Sequence, residues 1–367
     1  MELRINRTAL LKGLYFAQSI ADRRSTTPAV ANVLLRSHGP DTIVCAATDL
    51  RIGMVAEIPA EVRREGGVSV GAKHLYEIVR SLSDNELTLS RSENNWVEIS
   101  AAKARYRLVG LSDRDFPMIP DHQEAEFKEV PAATLSDLIS KTIFSVSSDD
   151  TRPHLAGILF ESNGEVAKAI STDGHRLTLV QREWAGGPVL RTGVVIPRKG
   201  LLELRRLVEG VDGTCDIAFG RGYVFVRVAD VVVSVALVEA QFPPYDRVVP
   251  HDNDKRLVLD RVTFLEALKR ASIMSSERSW GIRMELEGNV LRITSENPDL
   301  GEAREELEVD YAGAKLTIGF NARYFIDVLN EMRDDEVCLE LSGELDPGLV
   351  RPRDNHDYLG VVMPMRI

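Results

Sequence analysis

Cysteine is scarce in this sequence, with Cys45, Cys215 and Cys338 the only three among 367 residues. No Cys-x-x-Cys pair exists, so neither a zinc knuckle nor a dithiol redox centre has its spacing. Each cysteine lies in or beside an apolar run and reads as a buried thiol of a reducing compartment. Long apolar runs are missing too. The most apolar one, residues 231–238, contains Ser234 and has the length of a strand, far short of a membrane span. The opening Met1-Glu2-Leu3-Arg4-Ile5-Asn6 has no long apolar stretch of a secretory leader. These absences predict a soluble, cytoplasmic chain without membrane contact.

Signatures of catalysis are equally thin. There is no Gly-x4-Gly-Lys-Ser/Thr loop and no Gly-x-Gly-x-x-Gly turn. Asp173 and His175 stand two residues apart and would share one face of a strand, but no third ligand or His/Cys cluster joins them. The expectation is a protein that is not an enzyme, with no catalytic residues, no metal and no cofactor. The net charge of −11 argues against a generic nucleic-acid coat, since the whole surface would repel phosphate. It leaves open a segregated basic surface.

What is present is a repeat of about 125 residues. A short strand recurs as Asn32-Val33-Leu34-Leu35, Gly157-Ile158-Leu159-Phe160 and Gly281-Ile282-Arg283-Met284, at separations of 125 and 124. A strand running into a helix recurs as Val68-Ser69-Val70-Gly71-Ala72-Lys73, Val194-Val195-Ile196-Pro197-Arg198-Lys199 and Leu316-Thr317-Ile318-Gly319-Phe320-Asn321. A closing strand recurs as Leu108-Val109-Gly110-Leu111, Ser234-Val235-Ala236-Leu237 and Gly360-Val361-Val362-Met363. Polar, proline-containing connectors then divide the chain into domains at 1–123, 124–251 and 252–367.

Each copy carries two helical patterns. Leu75, Ile78, Val79 and Leu82 form one apolar stripe; Leu135, Leu138, Ile139, Thr142 and Val146 form another. Tyr324, Phe325, Val328, Leu329 and Met332 form a third, while 7–21, 200–208 and 260–274 are less regular. Asn6, Asp260 and Asn321 are candidate N-caps. Alternating β-branched runs fill the intervals, as at 42–46, 96–100, 223–228 and 337–341. The fold class is therefore α+β: one domain, two helices packed on antiparallel sheet, made three times.

Charge is divided between these elements. The helical stretches 7–24, 71–82, 134–147, 197–209, 260–275 and 321–333 carry 16 basic residues against 9 acidic ones, so the remainder is strongly negative. One reading is that the helices share a surface that meets phosphate; the other is that the charges merely decorate solvated faces. Without interleaved aromatics, backbone contact fits better than base stacking.

Three stretches carry a family likeness: Ser171-Thr172-Asp173-Gly174-His175-Arg176-Leu177, Val195-Ile196-Pro197-Arg198-Lys199-Gly200, and Val361-Val362-Met363-Pro364-Met365-Arg366-Ile367. With Leu237-Val238-Glu239-Ala240-Gln241-Phe242-Pro243 and Asp310-Tyr311-Ala312-Gly313, the chain resembles the bacterial sliding clamps, the DNA polymerase III β subunits, over its whole length. The resemblance implies the DNA-clamp fold and a head-to-tail homodimeric ring whose helices face double-stranded DNA without reading its sequence. It implies a processivity factor that serves the replicative polymerase α subunit, the clamp loader and other proteins bearing a clamp-binding motif. A partner-binding scaffold or antibiotic-tolerant paralogue that no longer rings DNA is the alternative.

The resemblance suggests Lys12, Arg24, Lys73, Arg80, Arg152, Arg198, Lys199, Arg205, Lys269, Arg270 and Arg278 for the DNA side. A groove for peptides of the Gln-Leu-x-Leu-Phe style matches at Leu155, Thr172, Gly174, His175, Arg176, Leu177, Pro243, Arg247, Val248, Val361, Val362, Met363, Pro364, Met365 and Arg366. Without the resemblance, Met363-Pro364-Met365 could equally be a strand end packed into a core. For the dimer contact the candidates are His74, Ile78, Arg105, Tyr106, Arg107 and Leu108 on the first domain. Opposite them stand Ile273, Met274, Glu302, Glu305 and Glu306 on the third, acidic rim against basic. Departures from the family pattern include Asp149 and Asp150 in a loop expected near DNA, Pro153-His154 in place of an aromatic pair, and Pro244 where an acidic residue is common. The segment 343–357 does not align, though Leu345 and Pro347 are candidates for the groove.

Overall fold

Every third of the chain opens with a strand that runs into a helix and later repeats that step. In the computed structural model, which describes residues 1–149, 151–276 and 279–366, the helices are α1 (Arg7–Ile20), α2 (Ala72–Ser81), α3 (Ala132–Ser140), α4 (Arg198–Val208), α5 (Arg261–Ser272) and α6 (Ala322–Glu331). Each directly follows a strand: Glu2–Asn6, Gly67–Gly71, Lys128–Pro131, Val194–Pro197, Lys255–Asp260 and Leu316–Asn321. Local chemistry sets several of these joints. Asn6 accepts from the Thr8 and Ala9 amides, Asp260 from Thr263 and Asn321 from Arg323, satisfying amides that the first helical turn leaves unpaired.

Most helices end within two residues of their apolar patterns, and α3 ends well short of its own. α1 stops at Ile20, where the Asp22 amide turns to the Val30 carbonyl and its carboxylate caps Arg24. α3 stops at Ser140. The Thr142 hydroxyl donates back to the Leu138 carbonyl at 2.6 Å, and a 3-10 turn, Ile143–Ser145, follows. Thr142 and Val146 are buried, but not as helix positions. Lys141, counted above with the helical cations, is buried as well. Its ammonium donates to the Glu331 carbonyl and lies 4.5 Å from the Tyr358 ring centroid, out of reach of any phosphate.

The chain divides into two compact units, and the middle third contributes to both. The first comprises Met1–Leu135, Gly186–Pro188 and Lys199–Leu237; the second Ser136–Ala185, Val189–Arg198 and Val238–Ile367. In the first unit a 13-stranded antiparallel sheet runs from Lys128–Pro131 at one edge to Ala104–Leu108 at the other. Its join between thirds is Val231–Ala236 against Ile52–Arg64, with Val233 opposite Met54. Val231–Ala236 is buried at five of six positions, so this apolar run needs strands on both sides. The α4 backbone comes close to it: a Cβ on Gly200 would lie 2.1 Å from Val235 Cγ1, so only glycine fits.

In the second unit an eight-stranded sheet runs from Val194–Pro197 to Lys255–Asp260. Arg176–Glu183 pairs there with Tyr358–Val362, joining middle and last thirds. A separate four-stranded sheet has the order Gly301–Glu308, Val290–Asn297, Gly281–Glu287, Leu316–Asn321. The three repeats are thus α+β units as expected, but their sheets are not three closed ones. Cys45, Cys215 and Cys338 are buried, and desolvation pushes the Cys45 and Cys215 thiols up to about 12, so neither is a reactive thiolate. No helix among the described residues is long and apolar enough to cross a membrane.

Candidate functional site

The Thr-Asp-Gly-His-Arg stretch forms a tight turn between the strands Val166–Thr172 and Arg176–Glu183. Thr172 Oγ1 donates to the Arg176 carbonyl at 2.6 Å and accepts from the Gly174 amide at 3.1 Å. The Asp173 carboxylate accepts from the amides of His175 and Arg176. Gly174 sits at φ 92°, in the left-handed region that glycine enters without strain. His175 is left exposed at the tip, whereas Arg176 is buried.

Arg176 acts as a strut. Its guanidinium donates to Asp173 at 3.1 Å, to Asp327 of α6 at 2.5 Å and to the Phe144 carbonyl at 2.6 Å. It lies 4.7 Å from the Tyr324 ring centroid and 5.4 Å from that of Phe144. Most of its donors are therefore committed inside the fold. Its first task is to hold the turn against α6, and a bound peptide finds few of its N–H groups free.

The C-terminal stretch lies beside this turn. Leu177 faces Val361 and Arg176 faces Val362 across the sheet. The strand ends there; the Met363 amide donates to the His175 carbonyl and the Met365 amide to the Gly319 carbonyl, both at 2.9 Å. Leu155, Leu177, Val361 and Val362 are at most 5% exposed, so they form a floor, not an open wall. Met363, at 37%, stands clear of it. Leu177 and Val361 share one apolar cluster with Leu159, Ile170, Val195 and Phe242, against which Tyr245 and Val249 pack. That cluster anchors the 3-10 turn Tyr245–Arg247, which leaves the neighbouring Pro243, Arg247 and Val248 exposed. Thr172, Pro364 and Met365 are half-buried, and Arg366 is exposed. Leu345, a looser candidate, is 71% exposed and outside the cavities here.

A cleft of about 520 Å³ opens on the other side of His175. It is lined by residues 144 and 146–149, by Arg152, Asp173, Arg176 and Arg198, and by Trp280, Asn321, Arg323 and Tyr324. It thus gathers Arg152 and Arg198, expected at DNA, with His175 and Arg176, expected at a peptide. Asp149 is already engaged: hydrogen bonds from Thr151 and then Arg152 hold its carboxyl well below the usual range, at about 2. Asp150 lies outside the described residues. Trp280 and Arg323 escaped the sequence reading, since they are 43 positions apart and carry no motif. A smaller cavity of about 270 Å³ lies beyond Met365 and Arg366, against Gly281, Arg283 and Glu296.

The remaining cationic candidates divide by partner. Lys12, Arg24, Arg80, Arg198 and Arg205 form no ion pair among the described residues. Lys73 pairs with Glu77 at 3.4 Å, Lys269 with Glu266 at 2.9 Å, Arg270 with Glu305 at 2.7 Å, and Lys199 with Asp49. Arg278 lies outside the described residues.

Known proteins match the whole chain. Models of the DNA polymerase III beta subunit match in succession: its N-terminal domain over residues 1–120, its central domain over 129–244 and its C-terminal domain over 246–366. The chain belongs to the bacterial DNA polymerase III beta subunit family. The beta sliding clamp of Pseudomonas aeruginosa is 36% identical over 368 residues that cover 100% of both chains. That of Escherichia coli K12 is 34% identical over 369 residues, again 100% of both. The crystal structure of the DNA polymerase III subunit beta from Pseudomonas aeruginosa overlays on all of this chain with a TM-score of 0.94 at 34% identity. Members of this family are sliding clamps, non-catalytic processivity factors in DNA replication, and this chain is one of them.

Within that family frame, two strand edges stand out. Ala104–Leu108 ends the large sheet of the first unit, with Arg105, Tyr106 and Arg107 exposed and Leu108 half-buried. On α2 nearby in sequence, His74 is exposed and Ile78 half-buried. Gly301–Glu308 ends the four-stranded sheet of the second unit, with Glu302 and Glu306 exposed and Glu305 half-buried. Ile273, just past α5, is 70% exposed and Met274 half-buried.

Proposed function

We propose that two copies of this chain close head to tail into a ring around duplex DNA. The ring tethers the replicative polymerase by topology while gripping DNA only weakly and without reading its bases. The domains that build it are 1–123, 124–251 and 252–367. The observation that carries this reading is the pair of open strand edges of opposite charge. An unpaired edge is a ready template for another strand. An arginine edge on the first third and a glutamate edge on the last suit each other, and neither suits itself, which selects a head-to-tail join over a symmetric one.

Cations on α1, α2, α4 and α5, together with Arg24 and Arg152, supply the phosphate-facing charge in this reading. Arg278 is carried from the resemblance alone. The unpaired ones, Lys12, Arg24, Arg80, Arg198 and Arg205, contribute most, because the others must first leave a carboxylate. The peptide seat is the groove over Leu155, Leu177, Val361 and Val362, rimmed by Thr172, Gly174, His175, Pro243, Arg247, Val248 and the 363–366 tail. Methionines there adapt to leucine and phenylalanine anchors from the polymerase α subunit, the clamp loader and repair proteins. Arg176 serves it by holding the turn.

Solution mass with low-resolution shape tests the ring directly. The expected result is two chains in an annulus; a monomer, or a solid dimer, would refute it. For the groove, Met365→Ala with Arg366→Ala is expected to weaken a labelled Gln-Leu-Ser-Leu-Phe peptide by about tenfold with the dimer intact. Unchanged anisotropy would remove the tail from the site.

A further inference from the structure

The first third carries the same turn as the second. Thr48 Oγ1 donates to the Ile52 carbonyl at 2.8 Å and accepts from the Leu50 amide at 2.9 Å, and the Asp49 carboxylate accepts from the amides of Arg51 and Ile52. Thr172 and Asp173 make the same four bonds in the next copy. The Ala236 amide donates to the Arg51 carbonyl at 2.8 Å, as the Met363 amide does to that of His175. Leu50 takes the place of Gly174, at φ 77°. Leucine rarely enters that left-handed region, and the bonds of the turn hold it there.

What differs is the floor. Leu177 faces Val361 in the groove assigned to peptides, whereas Gly53 faces Ser234 at the first turn. Two large apolar side chains are exchanged for a hydrogen and a hydroxymethyl, and Ile119 fills the space. A Cβ on Gly53 would lie 2.7 Å from Ile119 Cγ2 and 2.6 Å from Ser234 Oγ. Ile119 comes three residues after Phe116, as Tyr245 comes three after Phe242. Tyr245 is tethered by its hydroxyl, which donates to Glu161 at 2.9 Å. Isoleucine has no such tether and packs onto Gly53. Leu50, on the turn, and Met118, next to Ile119, are 60% and 96% exposed, so the spot has an apolar rim.

We propose that the first third holds a second seat for apolar-anchored peptides, a copy of the 172–177 groove, which the chain's own Ile119 occupies. The inference rests on that groove being the peptide seat. With Ile119 in place the second seat is shut, and each chain takes one peptide. Removing the side chain leaves a buried gap over Gly53, and such a gap takes up an apolar group from outside.

The test counts labelled Gln-Leu-Ser-Leu-Phe peptides per chain on the full-length protein, by calorimetric titration and native mass spectrometry. The original protein is expected to bind one per chain and Ile119→Ala two, the second about tenfold more weakly than the first. A photoreactive phenylalanine in the peptide should then label residues 48–53 of the variant and not of the original. Adding Met365→Ala and Arg366→Ala should leave the variant with the weak peptide alone. Ile119 stands on a connector outside the sheets, so the fold should survive, which circular dichroism checks. If it does not, Ile119→Leu, which keeps the volume but drops the methyl at Cβ, is read in the same way. One peptide per chain in the variant, or a second that labels elsewhere, overturns the proposal and leaves the groove standing. Two per chain in the original protein overturns the closure by Ile119. No binding to the original protein overturns the groove as well.

Discussion

The two open strand edges differ in more than sign. On Ala104–Leu108 the charges are unspent: Arg105 and Arg107 form no ion pair among the described residues, and Arg107 lies 5.0 Å from the Trp96 ring centroid. On Gly301–Glu308 most of the charge is already in use. Glu305 accepts from Arg270 at 2.9 and 2.7 Å, and Glu306 accepts from Arg292 at 3.0 Å and also from Arg304. Of the three glutamates proposed for this contact, Glu302 alone is without an ion pair among the described residues. One edge is therefore poised to gain partners, while the other must exchange them. If these edges join, specificity comes from the arginine side and adjustment from the glutamate side.

The largest effect should follow from reversing the unspent edge. Arg105→Glu with Arg107→Glu puts like charges face to face, and the dimer is expected to weaken by about a hundredfold or more. Analytical ultracentrifugation should then find single chains at micromolar concentration, while peptide binding, proposed for the second unit, is expected to be unaltered. On the glutamate edge, Glu302→Lys should weaken the dimer more than Glu305→Gln, by about tenfold against about threefold, because Glu305 already leans on Arg270. The reverse order would mean that the Arg270 pair opens fully on association.

The smallest effect concerns pH. The hydrogen bond from Arg270 lowers the Glu305 pKa, and those from Arg304 and then Arg292 lower that of Glu306. Both glutamates therefore stay ionised in the single chain until pH falls below the ordinary carboxylate range; the pairs they make within the chain support the fold above that range and lose their contribution as pH falls through the depressed pKa. The dimer should thus be indifferent to pH between about 6 and 8 and weaken only below about 4.

Local features were legible in the sequence and distant ones were not. Strand-to-helix joints and the caps Asn6, Asp260 and Asn321 depend on a few neighbouring residues, and they could be read directly. The repeat was legible because it leaves its imprint three times. The joining of Val231–Ala236 to Ile52–Arg64 was not, since period-two alternation marks a strand without naming its neighbour. The same limit hid the commitments of the candidate cations. Lys199 meets Asp49, 150 positions away, and Arg176 meets Asp327, 151 away. A motif can tell that Arg176 matters; only the fold tells that it works as a strut. The approach of Arg323 to Trp280, 5.8 Å from guanidinium to ring centroid, had no signal either, because a contact between two lone residues has no period.

Retention on DNA of different topology tests the central claim most directly. After loading onto nicked circular plasmid, the protein is expected to stay bound through a gel-filtration column in about 0.5 M salt, where phosphate contacts alone are weak. Cutting the same plasmid once should release it, because a ring held by geometry slides off an end. Equal loss from circle and line, or equal retention on both, would contradict a clamp that holds DNA by encirclement.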